Sequence, residues 1–223
     1  MTPTPRIVVL SAPSGGGKTT IAKALRARYP DEFGFSVSAT TRKPRATEHD
    51  GVDYRFWKPS QFLAGVNDGQ FLEHARYGGE LYGTLRTDVQ KILDSGRHVL
   101  LDIEVNGASQ VRKLDPEALT IFILPSDPRV LVQRLIGRAS ESSEEIQRRM
   151  ERAIEEISDA RLFHRWIRND DLDDAVESVK RAADEHPARF VRDPKDIPWL
   201  KRYLVDLQSE RQRLFDELHP QKG

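Results

Sequence analysis

The stretch Ser11-Ala12-Pro13-Ser14-Gly15-Gly16-Gly17-Lys18-Thr19-Thr20 constrains this chain more than any other. A short apolar run, Ile7-Val8-Val9-Leu10, precedes it and reads as a buried strand. Ile21-Ala22-Lys23-Ala24-Leu25 follows and reads as the start of a helix. Strand, glycine-rich loop and helix in that order is the setting a phosphate-binding loop requires. Gly15, Gly16 and Gly17 free the backbone to turn several N–H groups into one cavity, and the helix N-terminus adds partial positive charge. Lys18 is placed to reach β- and γ-phosphates, and the Thr19 hydroxyl to ligate Mg²⁺. Ala12 stands where the usual pattern has its first glycine, a turn that alanine tolerates while φ stays negative.

A second stretch adds another anion site. Val37-Ser38-Ala39-Thr40-Thr41-Arg42-Lys43-Pro44-Arg45 is followed by Glu48, Gly51 and Tyr54-Arg55-Phe56. Arg42 and Arg45 flank a proline, and a guanidinium presents a planar fork that suits phosphate. In isolation this reads as a solvated basic loop. Behind a phosphate loop it reads as the clamp a phosphotransferase needs for a phosphorylated acceptor.

The chain of 223 residues is long enough for one domain with subdomains, or at most two small domains, around a proper core. A formal net charge of zero argues against nucleic-acid or membrane attraction. The absence of cysteine excludes disulfides and thiolate metal sites. Met1-Thr2-Pro3-Thr4-Pro5 reads as no signal peptide, and no apolar run approaches membrane-spanning length. The expected compartment is the cytoplasm.

Both runs resemble the guanylate kinases. Val52-Asp53-Tyr54, Phe56, Phe71-Leu72-Glu73 and Tyr82-Gly83-Thr84 extend the resemblance, which covers about residues 5–183. It implies an α/β fold: a P-loop NTPase-type parallel sheet flanked by helices, with a small mixed α/β acceptor-binding lobe and a helical lid. It implies transfer of the γ-phosphoryl of ATP, taken with Mg²⁺, to GMP, giving ADP and GDP. By the same resemblance Ala12, Pro13, Ser14, Gly15, Gly16, Gly17, Lys18, Thr19 and Thr20 hold ATP, with Arg134 from the lid and with Asn169 on its adenine side. Glu73, Ser38 and Thr84 read the guanine edge. Arg42, Arg45, Tyr54, Tyr82 and Gly83 surround the acceptor phosphate, and Asp102 and Glu104 border the GMP site. Lys18, Arg42, Arg138 and Arg149 supply the charge that catalysis needs, and Thr19 and, through water, Asp102 hold the metal. A carboxylate at Glu73 suits guanine, because it accepts both N1–H and N2–H, which adenine lacks. The family usually carries Asp at the place of Glu104 and often Gln at the place of Asn106, so acceptor geometry is where this chain departs.

The remaining expectations follow the chain. The first helix ends at Pro30, and residues 33–38 alternate as an edge-like strand. Ser60 caps a helix. Residues 71–75 form a short strand or turn and 77–84 a hairpin region. A helix over 87–95 stops at Gly96, and strands occupy 98–103 and 119–124. Asp127-Pro128 opens a helix, 146–163 forms another, and Arg168 marks a strand at the sheet edge before a helix over 173–184. The expected organisation is a kinase domain over 1–184: a core of 5–35, 88–133 and 150–184, a GMP-binding lobe of 36–87 and a lid of 134–149. An extension, 185–223, carries Leu200, Leu204, Leu207, Leu214 and Leu218 at helical spacing. It reads as an amphipathic helix packed on the domain or a partner chain, with no part in catalysis. The expected partners are ATP and GMP, and the expected state a monomer or homodimer. Two other readings stay open: a catalytically impaired kinase-like interaction module, and a related P-loop kinase acting on another phosphorylated small molecule.

Overall fold

A computed structural model describes residues 4–137, 143–185 and 196–218. The chain opens with β1 (Ile7–Ser11), buried at every position, which runs through the phosphate loop into α1 (Lys18–Arg28). The helix starts at the loop's own lysine, three residues earlier than the apolar spacing alone implies. After β2 (Phe33–Phe35) the chain leaves the core for a lobe made of β3 (Ala39–Thr40), β4 (Arg55–Phe56), α2 (Pro59–Asn67), β5 (Phe71–Tyr77) and β6 (Glu80–Leu85). It returns through α3 (Arg86–Asp94), β7 (His98–Asp102), α4 (Val105–Leu114), β8 (Leu119–Leu124) and α5 (Pro128–Ile136). It closes with α6 (Ser143–Ser158), a short 3₁₀ turn at Asp159–Leu162, β9 (Arg165–Arg168), α7 (Leu172–Asp184) and α8 (Asp196–Leu218).

The core sheet has the order β2-β7-β1-β8-β9, parallel throughout. Its central strands read as nearly continuous apolar runs because helices cover both faces. On one face α1 and α7 pack Ile21, Leu25, Val176 and Val179 against Val8, Leu10, Leu119 and Ile121. On the other, Val111, Leu131, Met150 and Ile157 from α4, α5 and α6 meet Val9, Leu101 and Phe122. Leu10 pairs with Asp102 and Ser11 with Phe122, which aligns the carboxyl ends of the three central strands under the phosphate loop. Such ends are where open α/β sheets place their ligands.

The lobe sheet has the order β4-β3-β6-β5, with β3 and β4 parallel and the remaining pairs antiparallel. Its small core is aromatic: Phe62 stacks on Phe71 at 4.4 Å between ring centres, with Trp57 at its edge. The Gly78-Gly79 turn, both residues at positive φ, closes the β5–β6 hairpin.

Two local expectations change. Ser60 does not cap α2: Lys58 holds the cap position without a side-chain bond, and Pro59 is the first helical residue, where its fixed φ and missing N–H suit the helix start. The helix expected to reach residue 163 ends at Ser158 and tightens into the 3₁₀ turn. In the extension, α8 starts at Asp196 and takes Pro198 into its first turn. Arg168 does lie on an edge strand, and its guanidinium covers the Trp199 ring of α8 at 4.9 Å. Leu200, Tyr203 and Leu207 bury α8 against α5 and α6. Among the described residues no helix is long and apolar enough to cross a membrane.

Candidate active site

The phosphate loop depends on glycine at two points. Gly15 and Gly17 take φ of 82° and 92°, a region L side chains rarely adopt. At Gly17 an added Cβ would also lie 1.9 Å from Asn169 Nδ2. That amide donates to the Gly16 carbonyl at 2.9 Å, so the loop is braced by the turn after β9. Arg134 on α5 lies over the same place and donates to the Asn169 carbonyl at 3.5 Å. Ala12 is buried, and an added Cβ at Gly16 would lie 2.8 Å from the Ala12 methyl. Ala12 and Pro13 thus serve as the loop's packed floor, and Ser14 as its tip. Arg149 on α6 donates to the Ser14 hydroxyl at 3.2 Å.

Lys18 turns toward the end of β7. Its ammonium lies 3.0 Å from Asp102 Oδ1 and 2.9 Å from Glu104 Oε1, and it donates to the Ile103 carbonyl at 3.3 Å. Burial alone would lower its pKa. The two carboxylates outweigh burial and hold the group charged well above the ordinary lysine range. Thr19 donates its hydroxyl to Asp102 Oδ2 at 2.9 Å, while Thr20 is exposed on the first turn of α1. Asp102 therefore meets both the loop's cation and its hydroxyl. A hydroxyl and a carboxylate side by side are hard oxygen donors of the kind Mg²⁺ takes alongside phosphate oxygens and water. Among the described residues no group of three or more His, Cys, Asp or Glu could hold an ion unaided.

Across the cleft, Glu73 on β5 and Thr84 on β6 are cross-strand partners, and the Thr84 hydroxyl donates to Glu73 Oε1 at 2.6 Å. Glu73 is 4 % exposed. Burial pushes its carboxyl pKa up, while the Thr84 hydroxyl and amide favour the ionised form. Gly83, beside Thr84, lies against the Phe71 ring, where a Cβ would be 2.7 Å away. Ser38, just before β3, is half-buried and its carbonyl accepts the Arg55 N–H at 2.9 Å. Arg42 is held by Glu48 at 2.8 Å and by the Lys43 carbonyl, with its guanidinium 5.3 Å from the Tyr54 ring centre. Tyr54 meets Tyr82 edge-on at 5.9 Å. Burial, then the Asp102 charge, raises the Tyr54 pKa, so it is a neutral donor. Arg45 is different: its side chain is 77 % exposed, and its backbone N–H rather than its guanidinium makes the short bond to Glu48.

The structure thus gathers Lys18, Thr19, Asp102 and Glu104 at one point, Arg134, Asn169 and the loop at a second, and Glu73 with Thr84 and Arg42 with Tyr54 and Tyr82 at two more. Arg138 lies outside the described residues. Two residues that sequence reasoning passed over belong here. Gly107 on α4 leaves room for Glu73, whose Oε2 would lie 2.4 Å from a Cβ there. Glu156 on α6 faces the loop. Burial first, then the nearby Glu104 charge, pushes its carboxyl up to about 7, against the Ser14 N–H and the charges of Lys18 and Arg152. A helical glycine three residues after the candidate carboxylate Glu104 was a usable signal for Gly107. Glu156 offered none, sitting in a helix where every turn is charged.

A parallel sheet with a phosphate loop at the carboxyl end of its central strand, faced by a small mixed lobe, is the architecture of P-loop nucleotide kinases. The sequence model of the guanylate kinase family matches residues 4–186, and the chain belongs to that family. A guanylate kinase of Clostridium perfringens is 41% identical over 215 residues, 96% of this chain and 93% of that protein. That match extends well into the residues beyond 184. A guanylate kinase of Chlorobium chlorochromatii is 46% identical over 181 residues, 81% of this chain and 95% of that one. The crystal structure of guanylate kinase from Anaplasma phagocytophilum superposes with a TM-score of 0.68 at 28% identity, covering 85% of this chain and 91% of that chain.

Proposed function

We propose that this protein transfers the γ-phosphoryl group of ATP to GMP, releasing ADP and GDP. The observation that carries this reading is the buried Glu73–Thr84 pair, which presents a carboxylate across the cleft from a phosphate loop whose lysine is already charged and pinned.

Family membership supports ATP-dependent phosphoryl transfer; the residue roles below are our assignment. The loop amides of Gly15, Gly16 and Gly17 and the ammonium of Lys18 bind the donor phosphates, and Arg134 and Asn169 wall the adenine side. Glu73, Ser38 and Thr84 orient guanine. Arg42, Arg45, Tyr54 and Tyr82 hold the acceptor phosphate in line with the donor. An oxygen of that phosphate attacks the γ-phosphorus, and the bond to the β–γ bridging oxygen breaks as the new one forms. The attacking oxygen is already anionic near neutral pH, since a phosphomonoester has its second pKa at about 6, so no general base is needed. What remains is to offset the charge spread over the equatorial oxygens. Lys18 and Arg149 do so from the loop and from α6, and Arg138 adds a further charge from the segment between α5 and α6. Thr19 and Asp102 would hold Mg²⁺, which supplies charge neutralisation at the β- and γ-oxygens when bound. We also propose the division into a core, a lobe over 36–87, a lid over 134–149 and an extension from 185, with the protein acting in the cytoplasm.

ADP release with a panel of nucleoside monophosphates tests this. GMP alone, or GMP far above the others, is the expected acceptor. Turnover with AMP equal to that with GMP removes the guanine assignment, and no turnover with any acceptor leaves a binding module.

A further inference from the structure

The reaction just described uses nothing from α8, yet that helix rests on α5 and α6, which stand on either side of residues 138–142. Its most deeply placed polar side chain is Tyr203, 2 % exposed, whose hydroxyl has no hydrogen-bond partner among the described residues. The ring is fixed by Trp199 at 5.2 Å, and Trp199 in turn lies 6.1 Å from Trp166 and beneath the Arg168 guanidinium. The charged groups around the hydroxyl are Asp127, Asp170 and Arg134. Burial, and after it the two carboxylates, raises the phenol pKa, so the group is a protonated donor, and it bonds to neither carboxylate.

Those three residues line one wall. Asp127 caps α5, the helix that carries Arg134. Asp170 binds the Ser126 N–H and hydroxyl, joining the turns after β8 and β9. Asn169, its neighbour, braces Gly16, and Arg134 donates to the Asn169 carbonyl. Tyr203 belongs to α8, which packs on α5, and the donor-site assignment above puts the nucleotide against Arg134 and Asn169.

A buried hydroxyl without a partner is destabilising, and phenylalanine would fill the same space without that cost. We propose that Tyr203 is a positioning residue for the donor nucleotide: when ATP binds against Arg134 and Asn169, which already brace the phosphate loop, the wall they belong to shifts so that the phenol donates to Asp127 or Asp170 and holds it in that setting. The proposal rests on the donor-site assignment above. Its energetics follow from linkage, because a bond made only in the nucleotide-bound state contributes to nucleotide affinity and to nothing else.

The test is Y203F in the full chain. Its ligand-free melting temperature should equal or exceed that of the wild type. KM for ATP should rise by about 3–10-fold, the worth of one hydrogen bond, with KM for GMP and kcat at saturating ATP unchanged. The thermal shift produced by MgATP alone should shrink in parallel. A wild-type KM for ATP and a wild-type shift overturn the proposal. So does a lower ligand-free melting temperature, which means that the hydroxyl is already bonded. Because the thermal shift is read without GMP, it stays informative if the wild type proves not to phosphorylate GMP. Y203A separates ring from hydroxyl, since loss of the ring must lower ligand-free stability.

Discussion

The two halves of the cleft grip phosphate by different means. The donor half is built from backbone: buried loop residues, two glycines at positive φ, and an asparagine bracing a carbonyl from behind. The acceptor half is built from side chains standing on a thin sheet, some pinned, such as Arg42 on Glu48, and one, Arg45, largely in solvent. A backbone grip has no side chain to retune and binds any nucleoside triphosphate tail much alike. A side-chain grip can be changed one residue at a time. Selectivity therefore belongs to the acceptor half, and the capacity for transfer to the donor half.

The largest break in this comparison is Lys18→Ala. It removes the cation that the phosphate loop itself carries and leaves Asp102 and Glu104 without that partner. kcat should fall by on the order of 10²–10⁴-fold, the range for loss of a preorganised charge, with KM for GMP changed far less. Steady-state kinetics on a variant with wild-type circular dichroism checks this, and near wild-type turnover would remove the loop from the mechanism.

Glu73→Gln strikes the other half. It keeps the shape but turns one acceptor of the buried carboxylate into a donor. KM for GMP should rise by about ten- to a hundredfold, one good bidentate contact being worth roughly 1–3 kcal/mol, and the preference for GMP over AMP should narrow. ATP affinity should stay unchanged. Retained preference would move guanine reading to Glu104.

The difference between the halves also explains what the sequence discloses. Residues 7–10 are all apolar and 119–124 are apolar but for Thr120, so their strand character and burial are local facts. The loop is likewise local, its glycines and lysine being consecutive. The acceptor residues came from family resemblance, since nothing in the composition of residues 71–84 says that Glu73 faces Thr84 across two strands. Still less visible are contacts between distant segments. Lys18 meets Glu104 from 86 residues away, and Arg149 meets Ser14 from 135 away. Tyr203 was overlooked among leucines at helical spacing, although it is buried as Leu200 and Leu207 are. Ser60 was misjudged for a local reason, because Pro59 already fixes the helix start.

Gly107→Ala sharpens the comparison without touching either substrate. Alanine inside a helix is favoured over glycine by about 1 kcal/mol, so the variant should melt no lower than the wild type. Its methyl, however, would lie 2.4 Å from Glu73 Oε2 and must displace that carboxylate. KM for GMP should rise by about 3–10-fold, a modest cost for a displaced positioning group, with ATP kinetics unaltered. A rise in KM for ATP as well would show that α4 couples the halves rather than serving one.

The smallest expected effect is at Glu156, the carboxylate between α6 and the loop. Its pKa lies at about 7 in the folded protein, raised by burial and Glu104, against the ordinary glutamate value of 4.5. Between those values the folded state binds more protons than the unfolded state, so stability falls as pH rises through this window. Below about pH 4.5 both states are protonated and the group costs nothing. Above about pH 7 both are ionised and the full cost of a buried charge remains. Glu156→Gln removes the titration, so its stability relative to the wild type should grow as pH rises through this window. The difference in unfolding free energy between variant and wild type, from urea titrations at pH 5 and pH 8, should be smaller at the lower pH and favour the variant more at the higher. A difference of the same size at both pH values would mean that Glu156 does not titrate in this window.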